Sequence, residues 1–301
     1  MSSRTRVKPL NELFTNGQAA AEILRDTAFL NTNDRLRHKN LLEMPDYGQL
    51  VMTGDMHGNV RNFERLKTFC QLERHPNRHV ILHELIHRES EDLVSEDDSI
   101  ELLLLAAEYK CDFPEQVHFL QSNHELSQLT GNMIVKMGRS LLQAFEDAIL
   151  RRYGKKAEAV LEAIRDYIAS LPLAARTANG AFCAHSLPAP HKLESFDAGI
   201  FARDARPQDW LDGDVYKLVW GRGHTQHTLD RFAEMVDARF FIVGHTPQDD
   251  GYEVVGDKMI ILASDHAQGV FLPIDLAKPL TLDKLVSSIR KLAEMDLLAQ
   301  D

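Results

Sequence analysis

Cysteine is scarce in this chain: three residues, Cys70, Cys111 and Cys183, are scattered among 301. An odd, dispersed set excludes a disulfide framework. Cys183 sits in an apolar run and reads as a small core side chain rather than a nucleophile. Long apolar runs are missing as well. Residues 102–107 form a run far shorter than the roughly 20 residues needed to cross a bilayer, so no membrane partner is expected. Positive charge is in deficit, with 34 Lys and Arg against 45 Asp and Glu and a formal net charge of −11. No basic stripe offsets that balance, which excludes a nucleic acid held through its phosphates. The arginines between Met1 and Lys8 have no apolar segment behind them and do not form a secretory signal. Internal repeats, linkers and low-complexity segments are absent. The remaining balance, 44% hydrophobic and 26% charged, is that of a globular protein able to bury a sizeable core. Its expected location is the cytoplasm.

Periodicity gives the elements. Leu13, Ala20, Ile23, Leu24 and Phe29 predict a helix over 10–30 on the outside of the main sheet. Residues 50–53 read as a strand, followed by a helix over 60–72 with Phe63, Leu66, Phe69 and Cys70 on one face. A strand over 79–82, a helix over 100–109 capped by Ser99, and a strand over 117–120 come next. Between them, 89–99 carries six acids and reads as an exposed loop. Two longer helical patterns span 126–153 and 157–170, after which strand signals resume at 181–184, 240–243, 252–255, 259–263 and 269–273. An amphipathic helix over 282–298 is expected to pack on its own domain. The order predicts one layered α/β domain with a mixed sheet: an N-terminal helical segment (1–47), a core (48–275) and a C-terminal helix (276–301).

Four polar patterns follow apolar runs in a fixed order: Gly54-Asp55-Met56-His57-Gly58-Asn59, Asn123-His124-Glu125, Ala184-His185 and Gly244-His245-Thr246. Each alone is weak, since Asp-x-His pairs and Asn arise in surface turns and a single His after a strand is more often a hydrogen-bonded core residue. Together they place carboxylate, imidazole and amide groups at the ends of separate strands, where a doubly wound protein gathers ligands. The ordered set points to a dinuclear metal centre.

With these motifs the chain resembles the metallophosphoesterase superfamily, and within it the phosphoprotein phosphatase branch that includes serine/threonine phosphatases. The stretch from Ser99 through Phe113-Pro114-Glu115-Gln116-Val117 to Asn123-His124-Glu125, and Gly244-His245-Thr246-Pro247 to Asp250-Gly251-Tyr252, are similar too. The likeness runs from about 50 to 275. It implies the calcineurin-like metallophosphoesterase fold, an α/β layered β-sandwich of mixed sheets flanked by helices. It also implies two divalent ions about 4 Å apart that share a hydroxide for in-line attack on a phosphomonoester. Asp55, His57 and Glu84 would hold the first ion, and Glu84, Asn123, His185 and His245 the second. Such a donor set suits Mn2+, with Fe or Zn as alternatives. His124 would serve as general acid, Arg88 would bind the phosphate, and Arg222 in Trp220-Gly221-Arg222-Gly223 is a second candidate. The implied partners are phosphoserine or phosphothreonine in a protein, or a small phosphoester. A nucleotide or dinucleoside polyphosphate hydrolase is the alternative within the same chemistry.

One motif departs from the pattern. Where the family carries Gly-Asp-x-x-Asp-Arg-Gly, this chain has His83-Glu84-Leu85-Ile86-His87-Arg88-Glu89. His-Glu-x-x-His is also a zinc protease signature, which requires both histidines on one helix. Here it follows Val80-Ile81-Leu82 and precedes an acidic loop, which suits a strand end. Glu84 keeps the charge of the bridging aspartate but adds a methylene. His87 replaces the aspartate that partners the histidine of Asn-His-Glu, and a neutral imidazole supports His124 less than a carboxylate does. His83 replaces glycine, as an extra ligand or a crowding group. These changes motivate a further reading, a catalytically weakened regulatory relative. The acidic loop, just past this motif, is expected near the mouth of the site or as solvated decoration.

Overall fold

Alternation along three short parallel strands decides which faces are buried. In Gln49–Asp55, Arg78–His83 and Val117–Leu120, Val51, Val80, Leu82, Val117 and Phe119 point one way, and Leu50, Met52, Ile81 and Leu120 the other. Both faces are apolar, so the sheet needs cover on both sides. The computed structural model, which describes residues 10–88, 96–136 and 138–298, supplies it with two stacked mixed sheets.

The first sheet runs in the order Arg290–Lys291, Val270–Asp275, Gln49–Asp55, Arg78–His83, Val117–Leu120, with Val270–Asp275 antiparallel to its parallel neighbours. The second runs Arg37–His38, Leu41–Glu43, Ala174–Arg176, Ala181–Ala184, Phe240–Val243, Met259–Leu262, Tyr252–Val255. Between them lie Leu50, Met52, Ile81 and Leu272 from one sheet and Cys183, Phe240, Ile242 and Ile260 from the other. Helices Gly17–Thr32, Val60–Cys70, Ile100–Asp112, Leu141–Tyr153 and Ala157–Ala169 cover the outer face of the first sheet. Gln226–Val236 covers the second, packing Leu229 and Phe232 on Phe182 and Phe241. Each fully buried aliphatic side chain in these layers is worth about 1.5–3 kcal/mol relative to exposure. The fold is the expected α/β layered sandwich of mixed sheets flanked by helices.

The sheets touch at the carboxyl end of Gln49–Asp55, where Asp55 bridges to Ala263. A Cβ at Gly54 would lie 2.1 Å from the Leu262 carbonyl oxygen, so only glycine permits that approach.

Several elements differ from expectation. The 10–30 helix breaks at Asn16, whose side chain accepts from Gln18 and Ala19 N–H and starts a new helix. The 126–153 pattern is two helices: Gly131, at φ +76°, closes Asn123–Thr130, and a small hairpin precedes Leu141–Tyr153. Ser99 does not cap its helix; its hydroxyl accepts the His87 N–H instead. The expected C-terminal helix stops at Ser288. Ile289 turns extended, Arg290–Lys291 joins the sheet beside Val270 and Phe271, and a short helix follows at Met295–Leu298. Among the described residues, no helix is long and apolar enough to cross a membrane.

Candidate metal centre

The polar patterns meet where the strands end. Asp55 closes Gln49–Asp55, Glu84 follows Arg78–His83, Asn123 opens Asn123–Thr130, and His185 and His245 follow Ala181–Ala184 and Phe240–Val243. Turning side chains inward this abruptly bends the backbone. His57, Glu84, His87 and His245 have φ of +39°, +51°, +60° and +67°, a left-handed region that non-glycine residues occupy at a cost. The bends are held by hydrogen bonds: the Glu84 carbonyl accepts from Met56 N–H (3.0 Å) and His57 N–H (2.8 Å), and the Leu85 carbonyl from Gly58 N–H (2.9 Å). The Glu125 carboxylate accepts the Leu85 N–H (2.8 Å) and the Ser122 hydroxyl, fixing the Glu84 loop from below.

Three donor atoms converge on one point. His185 Nε2 lies 2.6 Å from Asn123 Oδ1 and 3.1 Å from His245 Nδ1, and His245 Nδ1 lies 2.9 Å from Asn123 Oδ1. Glu84 Oε2 is 3.5 Å from His185 Nε2 on one side and 3.9 Å from His57 Nε2 on the other. The His57 Nδ1–H donates to the His87 carbonyl at 3.1 Å, which leaves its Nε2 lone pair facing Glu84. Asp55 completes the floor, accepting the His245 N–H at 2.8 and 3.0 Å. A Cβ at Gly244 would sit 2.2 Å from Asp55 Oδ1, which makes glycine obligatory there.

The charges call for a cation. Glu84 is fully buried, and burial, then the Asp55 carboxylate, then Glu125, push its carboxyl well above the ordinary range. Burial also lowers His185 well below the usual imidazole value, helped by His245 and His83, and takes His245 down to about 3 with help from Arg222. The centre therefore crowds carboxylate oxygens against the buried, neutral rings of His185 and His245. That donor chemistry fits divalent ions, and its mixed nitrogen and oxygen atoms suit manganese, iron or zinc better than calcium.

The remaining predicted residues divide. Edge-to-face packing puts His124 against His57, with ring centroids 4.8 Å apart, and its Nε2 lies 3.9 Å from Glu84 Oε1. Burial, then His57 and His87, drive it well below the usual imidazole value. His87 is buried and bonds Gln128 Oε1 through Nε2 (3.0 Å), not His124. Arg222 reaches the donors: its Nε is 3.1 Å from His245 Nε2 and its terminal nitrogen donates to the His245 carbonyl at 2.9 Å. Arg88 instead pairs with Asp98 at 2.6 Å, its side chain 48% exposed. Most of the acidic loop, 89–95, lies outside the described residues. Of the rest, Asp97 is buried and accepts the Ser99 N–H, which does not match a wholly solvated loop. The protease alternative fails on backbone grounds, because His83 ends a strand and Glu84 and His87 are left-handed, so no helix carries both histidines.

Three participants escaped sequence reasoning. Ser264 ties the sheets at the centre, its hydroxyl accepting the Gly54 N–H (2.8 Å) and its N–H donating to the Asp55 carbonyl (3.1 Å). Asp265 lies within electrostatic range of His57 and Asp55, and burial raises its carboxyl. Gln128 links His87 to Glu146 (2.9 Å). An acid two residues beyond the 259–263 strand was the one available signal, and it resembles any turn.

A family model described as calcineurin-like phosphoesterase matches residues 49–249. Among solved structures, a protein serine/threonine phosphatase from Saccharomyces cerevisiae with similarity to human phosphatase PP5 is 19% identical, with a TM-score of 0.63 over 91% of this chain and 89% of that one. A cold-active protein-tyrosine phosphatase of a psychrophilic Shewanella is 15% identical, with a TM-score of 0.52 over 83% of this chain and 80% of that one. At these identities the likeness concerns the fold.

Proposed function

The chain belongs to the calcineurin-like phosphoesterase family, and from that footing we propose that it is a dinuclear metal-dependent phosphatase of phosphomonoesters, with phosphoserine or phosphothreonine in proteins as its substrate. The carrying observation is Glu84 Oε2 lying 3.9 Å from His57 Nε2 on one side and 3.5 Å from His185 Nε2, which meets Asn123 and His245, on the other, with the Asp55 carboxylate 3.5 Å from the His185 ring. Divalent ions held by these residues would supply Lewis-acid polarisation of the phosphoryl group and activation of water.

The chain's own residues supply the rest. Arg222, at the rim beside His245, forks onto phosphoryl oxygens as a planar guanidinium does. His124 presents a ring nitrogen toward the leaving oxygen. His57 and His245 are held in register by backbone contacts, so the site is set before substrate arrives. A catalytically weakened relative is the second reading, favoured by the neutral His87 where a carboxylate would support His124.

The test is metal content of the purified chain, paired with manganese-dependent hydrolysis of p-nitrophenyl phosphate and of phosphoserine, phosphothreonine and phosphotyrosine peptides, for wild type and Asp55→Asn. About two ions per chain with turnover lost in the variant supports the phosphatase. Bound metal without turnover on any substrate favours the weakened relative.

A further inference from the structure

A neutral imidazole that binds a metal through one nitrogen carries its proton on the other, and that proton is almost always donated to an acceptor. For His185 the partner is unusual. Its Nδ1 lies 3.1 Å from Nδ1 of His83, at the position where the related motif carries glycine. His83 is itself fully buried, and its Nε2 lies 2.9 Å from the carbonyl oxygen of Thr53. A carbonyl can only accept, so His83 Nε2 carries the proton and its Nδ1 presents a lone pair. The ring is wedged in place: a Cβ at Gly244 would come within 2.7 Å of His83 Cε1. Asp55 Oδ1 accepts the His245 N–H and lies farther off, 3.5 Å from both Nδ1 atoms.

We propose that His83 is a positioning residue for the metal centre: its Nδ1 accepts the Nδ1–H of His185 and so fixes the tautomer that leaves His185 Nε2 open to the second ion. The proton order runs from Thr53 carbonyl to His83 Nε2–H, then from His83 Nδ1 to His185 Nδ1–H. The opposite tautomer would set two Nδ1 lone pairs against each other at 3.1 Å in a dry interior. The Glu84-centred donor set is the premise, whereas the substrate plays no part. The His83 of the protease-like motif thus becomes the second layer of a different metal site.

The experiment uses the full chain with 15N-labelled histidine, loaded with diamagnetic Zn2+. The expected spectrum has a slowly exchanging His185 Nδ1–H with scalar coupling to His83 Nδ1 across the N–H···N bond. Alongside it, His83→Leu, of similar size but without an acceptor, weakens the second Zn2+ by about 10–100-fold in calorimetric titration. His83→Asn, whose Oδ1 can stand near the lost Nδ1, stays within about threefold of wild type. Absence of coupling, a proton on His185 Nε2, or a third ion with His83 Nδ1 as ligand overturns the proposal. So does equal affinity in the Leu and Asn variants. If His83→Leu does not fold, the wild-type spectrum and the Asn variant still decide. An inactive protein that keeps the coupling removes the phosphatase reading alone.

Discussion

The rings of His87 and His124 lie 5.2 Å apart between centroids, yet Nδ1 of each has no hydrogen-bond partner among the described residues. Burial takes His87 down to about 4, with Gln128 opposing, so at neutral pH it carries no charge. It therefore gives His124 neither an anion nor a direct hydrogen bond. A group so placed protonates a poor leaving group inefficiently.

The wild-type rate should consequently depend steeply on the leaving group. His87→Asp is expected to raise kcat/KM for a phosphoserine peptide by about tenfold or more, and to change p-nitrophenyl phosphate hydrolysis little, because that leaving group needs no proton. Rates plotted against leaving-group pKa for both proteins check this. An equal gain on all substrates would mean that the substitution acts elsewhere.

Arg222 and Arg88 differ in what they touch. Arg222 contacts a metal-binding candidate, whereas Arg88 makes a half-exposed ion pair of a kind worth about 0–1 kcal/mol. Arg222→Ala should reduce kcat/KM by about 100-fold, and Arg88→Ala by less than about threefold. Steady-state kinetics on one phosphopeptide separate them; a larger loss for Arg88 would reverse the roles.

Metal removal should expose the cost of burying Glu84. With no cation, its fully buried carboxyl faces Asp55 and Glu125. Chelation of wild type is expected to lower Tm by about 5 °C or more, since ligand at 100 times Kd contributes about 2.7 kcal/mol. Glu84→Gln removes the charge, so it should melt above wild type in chelator and below it in Mn2+. Scanning calorimetry under both conditions checks the crossing, and a variant less stable in both would contradict it.

Much of this was legible because two periodicities dominate. The 50–53, 79–82 and 117–120 strands announce themselves by apolar runs ending in polar motifs, and those motifs mark the strand ends where Asn123, His185 and His245 meet and where Glu84 lies beside His57 and His185. The breaks were harder to read. Gly131 ends a helix inside a continuous helical pattern, because one left-handed residue outweighs the propensity of its neighbours. Residue identity alone also does not show what the two arginines touch: Arg88 sits next to the motif in sequence, but the left-handed turn at His87 precedes it and the guanidinium pairs with Asp98. His83 looked like a candidate ligand or a crowding group, and only the Thr53 carbonyl reveals which nitrogen holds its proton.

A second buried network lies outside the centre, where Asp34 bonds His118 (2.8 Å) and Lys110 (3.1 Å), and His118 Nε2 lies 3.1 Å from His79 Nδ1. Burial alone would raise the Asp34 carboxyl, but His118 and Lys110 outweigh it and hold it below the ordinary range. Burial, then His118, take His79 down to about 4, with Asp34 opposing and Arg35 assisting. The sign follows from proton counts. Between about 6.5, the value in the unfolded chain, and 4, the unfolded state binds a proton that the folded state does not, so stability falls as pH falls. Asp34 acts in the same direction only at lower pH. Replacing His79 by Asn, which keeps a polar group near Nδ1, should remove up to about 2 kcal/mol of the stability lost between pH 6.5 and 5. Other buried imidazoles, His87 and His224 at about 4 and His245 at about 3, keep part of the slope in both proteins. Urea unfolding at the two pH values measures the difference, and an unchanged loss in His79→Asn would place the acid sensitivity in those other histidines.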